Sequence, residues 1–409
     1  MKEDCILSIV IPTKNRSEYT LNVVKQILGI THSGFELIIQ DNSDNDELKT
    51  LLGDYLNDQR VKYYYSKEIR SFVSKFSIGI GNCTGEYVTI IGDDDGISPQ
   101  IIEVADWASK NGIDAITPSL PAVYYWPHSG VNTKDDNGRL TMTQISCSVS
   151  AVNTNQELRQ FFKNGCQNYL SYSLAKVYHG IVRKSILQKI KIQTGNYVGG
   201  LSPDIYLSVA CSLLIEKVWI IDFPLTIAGI CKKSGSSDSA TGKHTGNLRD
   251  APHFRGHANY VWSDRVPAFY SVETIWADSA LAAINDLSVH KMNRHFNIDV
   301  LSGYCMKLYP SYSKEIVKNL SMHQSKSGNT LSVKLHLLKG QIEVEVRLFV
   351  SKVRNKIFNN KPVKEYKSIA DICAASSLIQ ELIKEKTKKL FSNLPGYTHE
   401  VNYTKDITP

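Results

Sequence analysis

Long apolar runs are missing from this chain of 409 residues: no stretch approaches eighteen apolar residues, so no bilayer-spanning helix is expected. The eight cysteines (5, 83, 147, 166, 211, 231, 305 and 373) lie far apart, and none forms a C-x-x-C pair. That excludes a tight disulfide framework and zinc fingers, and it points to a reducing compartment. No G-x-G-x-x-G follows the first apolar run, and no G-x-x-x-x-G-K-[ST] occurs anywhere. A dinucleotide site of that type and an ATP-type phosphate loop are therefore not expected. Charge of one sign is not in large excess: 47 basic against 40 acidic side chains give +7, which is no nucleic-acid signature. At the N-terminus, Glu3 and Asp4 precede a short apolar run that ends at Pro12, unlike a secretory signal. The two formal glycosylation sequons, at Asn82 and Asn402, are disregarded on that ground. No internal repeat is found.

What is present is an alternation of strand-like and helix-like segments. Ile6–Ile11 reads as a strand ended by Pro12, followed by the polar loop Thr13 to Arg16 and a helix from Glu18 to Leu28. Phe35–Gln40 is a second strand with Asp41 to Asp44 at its end, and residues 48–56 form a helix. Val61–Tyr65 is a third strand, a helix is expected over 70–81, and a fourth strand runs to Ile91. A helix over 99–110 and a strand over 113–117 complete the pattern. Such alternation implies an α/β fold with a mostly parallel central sheet flanked by helices. In such sheets ligands bind beyond the C-terminal strand ends. Thr13 to Arg16, Asp41 to Asp44 and Asp93 to Asp95 all fall there.

The run Val88-Thr89-Ile90-Ile91-Gly92-Asp93-Asp94-Asp95-Gly96 drives β-formers straight into three carboxylates. Adjacent acids repel, and a divalent cation is the usual relief. Asp93 and Asp95, spaced one apart, can reach Mg²⁺ or Mn²⁺. A plain acidic loop after a strand fits this motif alone about as well.

Three blocks then carry a resemblance: Ser8-Ile9-Val10-Ile11-Pro12-Thr13-Lys14-Asn15-Arg16, then Asp41-Asn42-Ser43-Asp44, then Gly85-Glu86-Tyr87 leading to Asp93-Asp94-Asp95. In order and approximate spacing they resemble family 2 glycosyltransferases with the GT-A fold, such as those of bacterial surface-polysaccharide pathways, over about residues 5–260. The resemblance implies sugar transfer from a nucleotide diphosphate sugar, a UDP-sugar first among them, with inversion and with Mn²⁺ or Mg²⁺. It implies a glycan or polyprenyl-linked acceptor. Pro12, Thr13 and Arg16 would border the nucleotide, and Asp41 would contact base or ribose. Asp93 and Asp94 would sit near ribose and diphosphate, and Asp93 and Asp95 would meet the metal. An Arg-Asn pair common before the third block is replaced here by Phe76 and Ser77, so Arg70 or Lys75 is expected to supply positive charge instead.

Downstream, Pro121 to His128 is rich in aromatic residues suited to sugar stacking or to filling a subcore. Lys176–Val182 reads as a strand re-entering the core. Asp204 follows Pro203 at the start of a helix over 204–214, where a carboxylate is stabilised and held rigidly. Inverting transfer needs one base near the acceptor hydroxyl. By resemblance that base is Asp204, with Pro203 where the family often carries a second acid. A small, basic run from Lys232 to Gly246 reads as a loop able to close over a diphosphate, with Lys243 on the phosphates. Of His244, His253 and His257, His244 is taken for the metal.

Residues 1–265 are expected to form the catalytic domain. Residues 266–409 form a mainly helical extension for oligomerisation, acceptor contact or a membrane surface. Within it, Val344 to Phe358 mixes apolar residues with Arg347, Lys352, Arg354 and Lys356, a pattern suited to an anionic membrane surface or equally to a helix packed on its own domain or on a second subunit. The expected location is cytoplasmic, with a peripheral position on the inner membrane in view. A sugar nucleotidyltransferase and a non-catalytic nucleotide-sugar-binding relative are the competing readings. The first would show a Gly-rich basic loop after the first strand, and Pro12 to Arg16 is not one.

Overall fold

The computed structural model describes residues 5–68, 71–131, 137–232, 245–254, 260–324, 330–358 and 362–397. In chain order the first part comprises β1 (Leu7–Thr13), α1 (Ser17–Leu28), β2 (Phe35–Asp41), α2 (Glu47–Leu52), β3 (Val61–Tyr65), α3 (Phe72–Gly81), β4 (Tyr87–Ile90), β5 (Gly96–Ile97), α4 (Gln100–Lys110) and β6 (Ala115–Pro118). The middle adds β7 (Ala122–Tyr125), β8 (Arg139–Thr143), β9 (Val149–Asn153), α5 (Thr154–Lys163), β10 (Ile181–Arg183), α6 (Lys184–Thr194), α7 (Pro203–Leu214), β11 (Lys217–Ile221) and β12 (Thr226–Ile230). The last part is α8 (Val272–Asp286), α9 (Ile298–Leu308), α10 (Ser313–Gln324), α11 (Thr330–Phe358), β13 (Val363–Lys367) and α12 (Ile372–Asn393).

The main sheet has the order β3-β2-β1-β4-β10-β6-β11-β9. Strands β3, β2, β1 and β4 are parallel, and β10 runs antiparallel between β4 and β6. Both faces are covered. Val10, Ile38, Val88 and Ile90 join one core. Leu7, Ile9, Ile11, Leu37, Ile39 and Ile91 join the other. Burial on both faces is why these strands read as apolar runs rather than as alternations. A second sheet, β13-β8-β7-β12-β5, lies beside the acid cluster.

Several elements differ from the sequence expectation. β1 continues through Pro12 to Thr13. The β1–β4 ladder stops at Val10 and Ile90, so the missing N–H falls where β4 no longer pairs. The re-entering strand is only three residues, Ile181–Arg183. Before it the chain breaks off, with Tyr178 making a lone bridge to Ile90 and His179 at φ 58°. The first helix of the C-terminal extension begins at Val272, where Ser271 and Thr274 form a capping box.

Residues 362–397 cross the division expected at 265/266. β13 pairs with β8, and α12 packs on α1. Ile372, Ile379, Ile383 and Leu390 of α12 enter the same core as Ile9 and Ile11. The intervening helices α8 and α9 pack on the opposite side, with α8 against α7 and α9 against α8 and α11.

Candidate active site

The site grows from the C-terminal ends of β1, β2 and β4. Register pairs Thr13 with Asp41, so the polar residues after these strands converge. The Thr13 hydroxyl donates to Asp93 Oδ2 at 2.7 Å, and Arg16 donates to Asp93 Oδ1 at 2.6 Å. Arg16 also stands 3.6 Å from Asp94 Oδ1. Asp41, fully buried, accepts from the Tyr63 hydroxyl at 2.7 Å and from the Ser43 N–H at 2.8 Å. Beside it Asn42 is 3% exposed, and neither side-chain amide atom finds a partner among the described residues. Buried native polar groups are almost always paired, so an orphan donor and acceptor at a strand end are groups a ligand can satisfy.

Asp95 is the most enclosed of the three acids. Its Oδ1 accepts from the Gly229 N–H at 2.7 Å. Its Oδ2 accepts from the Gly92 N–H at 2.6 Å and the Tyr178 hydroxyl at 3.0 Å, with His179 Nε2 at 3.2 Å. Thr226 Oγ1 lies 3.0 Å from His179 Nδ1 and orients the ring. Burial alone raises this carboxyl, but facing His179 and the two backbone N–H donors hold it below its ordinary value. Asp94 goes the other way: burial, with Asp95 and Asp93 adjacent, pushes it up to about 7. The Trp126 indole donates to the Asp94 carbonyl at 2.8 Å, and the Cys231 N–H donates to Asp94 Oδ2 at 3.1 Å. Strand β12 passes so close that a Cβ on Gly229 would stand 1.7 Å from the Asp94 carbonyl oxygen. Only glycine allows that approach.

Lys75, on α3, is 7% exposed and lies 5.3 Å above the Phe72 ring. Burial lowers its ammonium to about 8; Asp93 opposes the shift, while Lys14 and Arg16 add to it. It therefore stands among Lys14, Arg16, Asp41 and Asp93, a cation held close to the cleft.

Asp204 arrives from α7. Ser202 donates to its Oδ1, and burial raises its carboxyl, which Ser202, the Ile205 N–H and Lys176 oppose. Its neighbour Lys176 is 9% exposed with its ammonium over the Tyr169 ring at 4.8 Å. Burial depresses Lys176 to about 8, against the pull of Asp204 and Glu157. Tyr178 links the two halves. Its hydroxyl bonds Asp95, and both Asp95 and Asp204 raise its pKa on top of burial.

Not every expected residue can be located. Arg70, Lys243, His244 and His257 lie outside the described residues. His253 rests against the rings of Phe72 and Tyr270, with its Nδ1 3.3 Å from the Tyr270 hydroxyl. Tyr124 and Trp126 are 0% and 4% exposed and fill the core beneath the second sheet, so of the two uses open to these rings the structure takes subcore filling. Tyr178, His179 and Gly229 were not singled out from the sequence. A polar Tyr-His pair inside an apolar re-entry segment was the available signal.

Mg²⁺ and Mn²⁺ at phosphate sites take one or two carboxylates and complete their shell with water and substrate oxygens. Asp93 and Asp95 have all four oxygens engaged by protein donors. Among the described residues Asp94 Oδ1 meets only Arg16, at 3.6 Å. The donor set therefore fits a cation at Asp94 better than at Asp95. Among the described residues no three His, Cys, Asp or Glu side chains are grouped to hold a metal unaided.

A mixed sheet whose parallel strands β1, β2 and β4 gather polar residues at their C-terminal ends, with a carboxylate helix beside the gap, is an α/β arrangement of the GT-A type. Residues 8–167, under half of the chain, match the model of "Glycosyl transferase family 2". An uncharacterized glycosyltransferase, RC0461, of Rickettsia conorii is 30% identical over 101 residues, 25% of this chain and 17% of that protein. The putative colanic acid biosynthesis glycosyl transferase WcaA of Escherichia coli is 30% identical over 106 residues, 25% of this chain and 38% of the relative. GalNAc(5)-diNAcBac-PP-undecaprenol beta-1,3-glucosyltransferase of Campylobacter jejuni is 28% identical over 91 residues, 22% and 29% of the two chains. These alignments span well under half of each relative. Among solved structures, S. aureus TarS 1-349 in complex with UDP-GlcNAc is similar with a TM-score of 0.47 and 14% identity, over 78% of this chain and 80% of that one.

Proposed function

We propose that this protein transfers a sugar from a nucleoside diphosphate sugar to a hydroxyl of a glycan or lipid-linked acceptor, with inversion. The observation that carries the reading is two unlike carboxylates within electrostatic reach of Tyr178: Asp95, hydrogen-bonded to its hydroxyl and held below its ordinary value, and Asp204, raised by burial. Two acids driven apart in this way suit two different roles. Asp204 is the general base that takes the proton from the acceptor hydroxyl. Lys176 beside it keeps the carboxylate charged when ready to act. Asp41 and the unpaired Asn42 amide receive the base or ribose, and Thr13 and Arg16 set Asp93 towards the ribose and diphosphate. Arg16 and Lys75 offset charge on the departing diphosphate. Asp94 would be the residue to hold a divalent cation, which would supply further positive charge to that leaving group. Asp95 braces the cluster from inside.

Two measurements test this. Titration calorimetry with UDP, GDP and dTDP, with and without Mn²⁺, is expected to show one nucleotide class binding and its metal-dependent part lost in Asp94→Asn. Absence of binding to every nucleotide under both conditions would overturn the reading. Asp204→Asn is expected to lower kcat by roughly 10²–10⁴ while leaving nucleotide affinity in place. Because burial raises Asp204, activity should fall as pH drops through that raised value, where the base becomes protonated. A wild-type acid limb that persists unchanged in Asp204→Asn would remove the residue from this role.

A further inference from the structure

Among the described residues, seven of the nineteen strongly exposed large apolar side chains sit on one helix, α11: Leu331, Leu335, Leu338, Ile342, Val346, Phe349 and Val350, each 52–67% exposed. The first six recur every three or four residues, so they form one stripe along a helix about 30 Å long over that span. The opposite side of α11 is settled: Val333 and Val344 are buried, and a Cβ on Gly340 would meet the Asp299 carbonyl oxygen of α9 at 1.9 Å. That backbone-to-backbone approach fixes which side of α11 turns inward. The stripe therefore faces away from the rest of the fold. Leu308 on α9 and Val317 and Met322 on α10 are exposed as well.

Charge along the same stretch of sequence is one-sided. Residues 287–360 hold 12 of the 47 basic side chains and only 4 of the 40 acidic ones, so this segment is +8 and the rest of the chain −1. Exposed Lys334 and Lys352 lie along one side of the stripe and Lys339 along the other. The two acids nearest it are already neutralised: Glu345 by Lys307 and Glu343 by Arg347. Two such faces brought together would oppose like charge to like charge. An anionic surface with an apolar interior complements both features at once.

We infer that the outward face of α11 is a docking surface for an anionic lipid bilayer, lying in the interface without crossing it. No helix among the described residues is long and apolar enough to span a membrane. The test is co-sedimentation of the full chain with phosphatidylcholine vesicles, with and without phosphatidylglycerol. Partition into the anionic vesicles is expected to exceed that into neutral ones by about tenfold or more and to weaken as salt rises. L338E/I342E should abolish it, with thermal unfolding unchanged because both positions are solvent-facing. K334E/K352E should lose the preference for anionic lipid while keeping the apolar stripe. The inference is overturned by wild-type protein that ignores both vesicles, by binding that L338E/I342E leaves intact, or by equal binding to neutral and anionic lipid. It is equally overturned if light scattering shows a dimer that L338E/I342E dissolves without any vesicle binding, which would make a second copy the occupant. None of these readouts depends on the proposed sugar transfer.

Discussion

The two ends of this fold invert the usual arrangement of polar and apolar groups in opposite ways. At the edge of β1, β2 and β4, charge is inside: Asp41, Asp93, Asp94, Asp95 and Lys75 are all 7% exposed or less. In the layer of α9, α10 and α11, apolar side chains are outside, with Phe349 67% and Leu331 64% exposed. A buried charge and an exposed apolar patch are the two departures from ordinary burial that carry information. Each is costly in a different way. A buried charge needs partners, and the acid cluster has them in Arg16, His179, Tyr178 and backbone N–H groups. An exposed apolar stripe costs the folded chain little but seeks a cover. The first end thus suits a ligand of matching charge, the second a surface.

The comparison breaks most sharply at Asp95. Asp95→Ala would leave His179 and the N–H groups of Gly92 and Gly229 unpaired. A loss of about 3–5 kcal/mol in denaturant unfolding is expected for breaking such a buried pair. A variant as stable as the wild type would show that the cluster is not internally braced. Gly229→Ala should follow, at about 1–3 kcal/mol or more, since its Cβ meets backbone at 1.7 Å and β12 must shift. Lys75→Met sharpens the contrast with the opposite sign. Lys75 titrates at about 8 against an ordinary 10.5, so the unfolded chain binds the extra proton between those values and wild-type stability rises with pH across that window. Removing the charge should stabilise the neutral-pH fold by on the order of 1–2 kcal/mol and weaken nucleoside diphosphate binding. Unchanged nucleotide affinity would take Lys75 out of the cleft's role. At the other end, L338Q/I342Q should alter stability by no more than about 0.5 kcal/mol, because exposed positions contribute little. A large loss there would mean that the stripe is packed, not open.

Much of the first end was legible before any coordinates. Thr13, Asp41 and Asp93 follow apolar runs, and parallel strands buried on both faces leave polar residues only at their ends. What was not legible is how the acids are satisfied. Cation relief was the natural expectation for three adjacent carboxylates. The fold instead surrounds Asp95 with Gly92, Tyr178, His179 and Gly229, which lie between 3 and 134 positions away in the chain. Strand β13 was missed within a helical reading because Val363–Lys367 is short and mostly exposed, so its apolar pattern is weak.

The sequence by itself determined the strand and helix alternation, the order of the polar blocks and the basic bias of the last third. These follow from local pattern and composition, which need no partner. Only the tertiary structure decided three further matters. It brought Asp204 within electrostatic reach of Tyr178, whose hydroxyl bonds Asp95, returned α12 to the face of the main sheet that also bears α1, and chose which side of α11 faces out. That helix carries apolar residues on both sides, so periodicity alone cannot choose between them. The close contact of Gly340 with α9 makes the choice, because two backbones can approach that far only where neither bears a side chain between them.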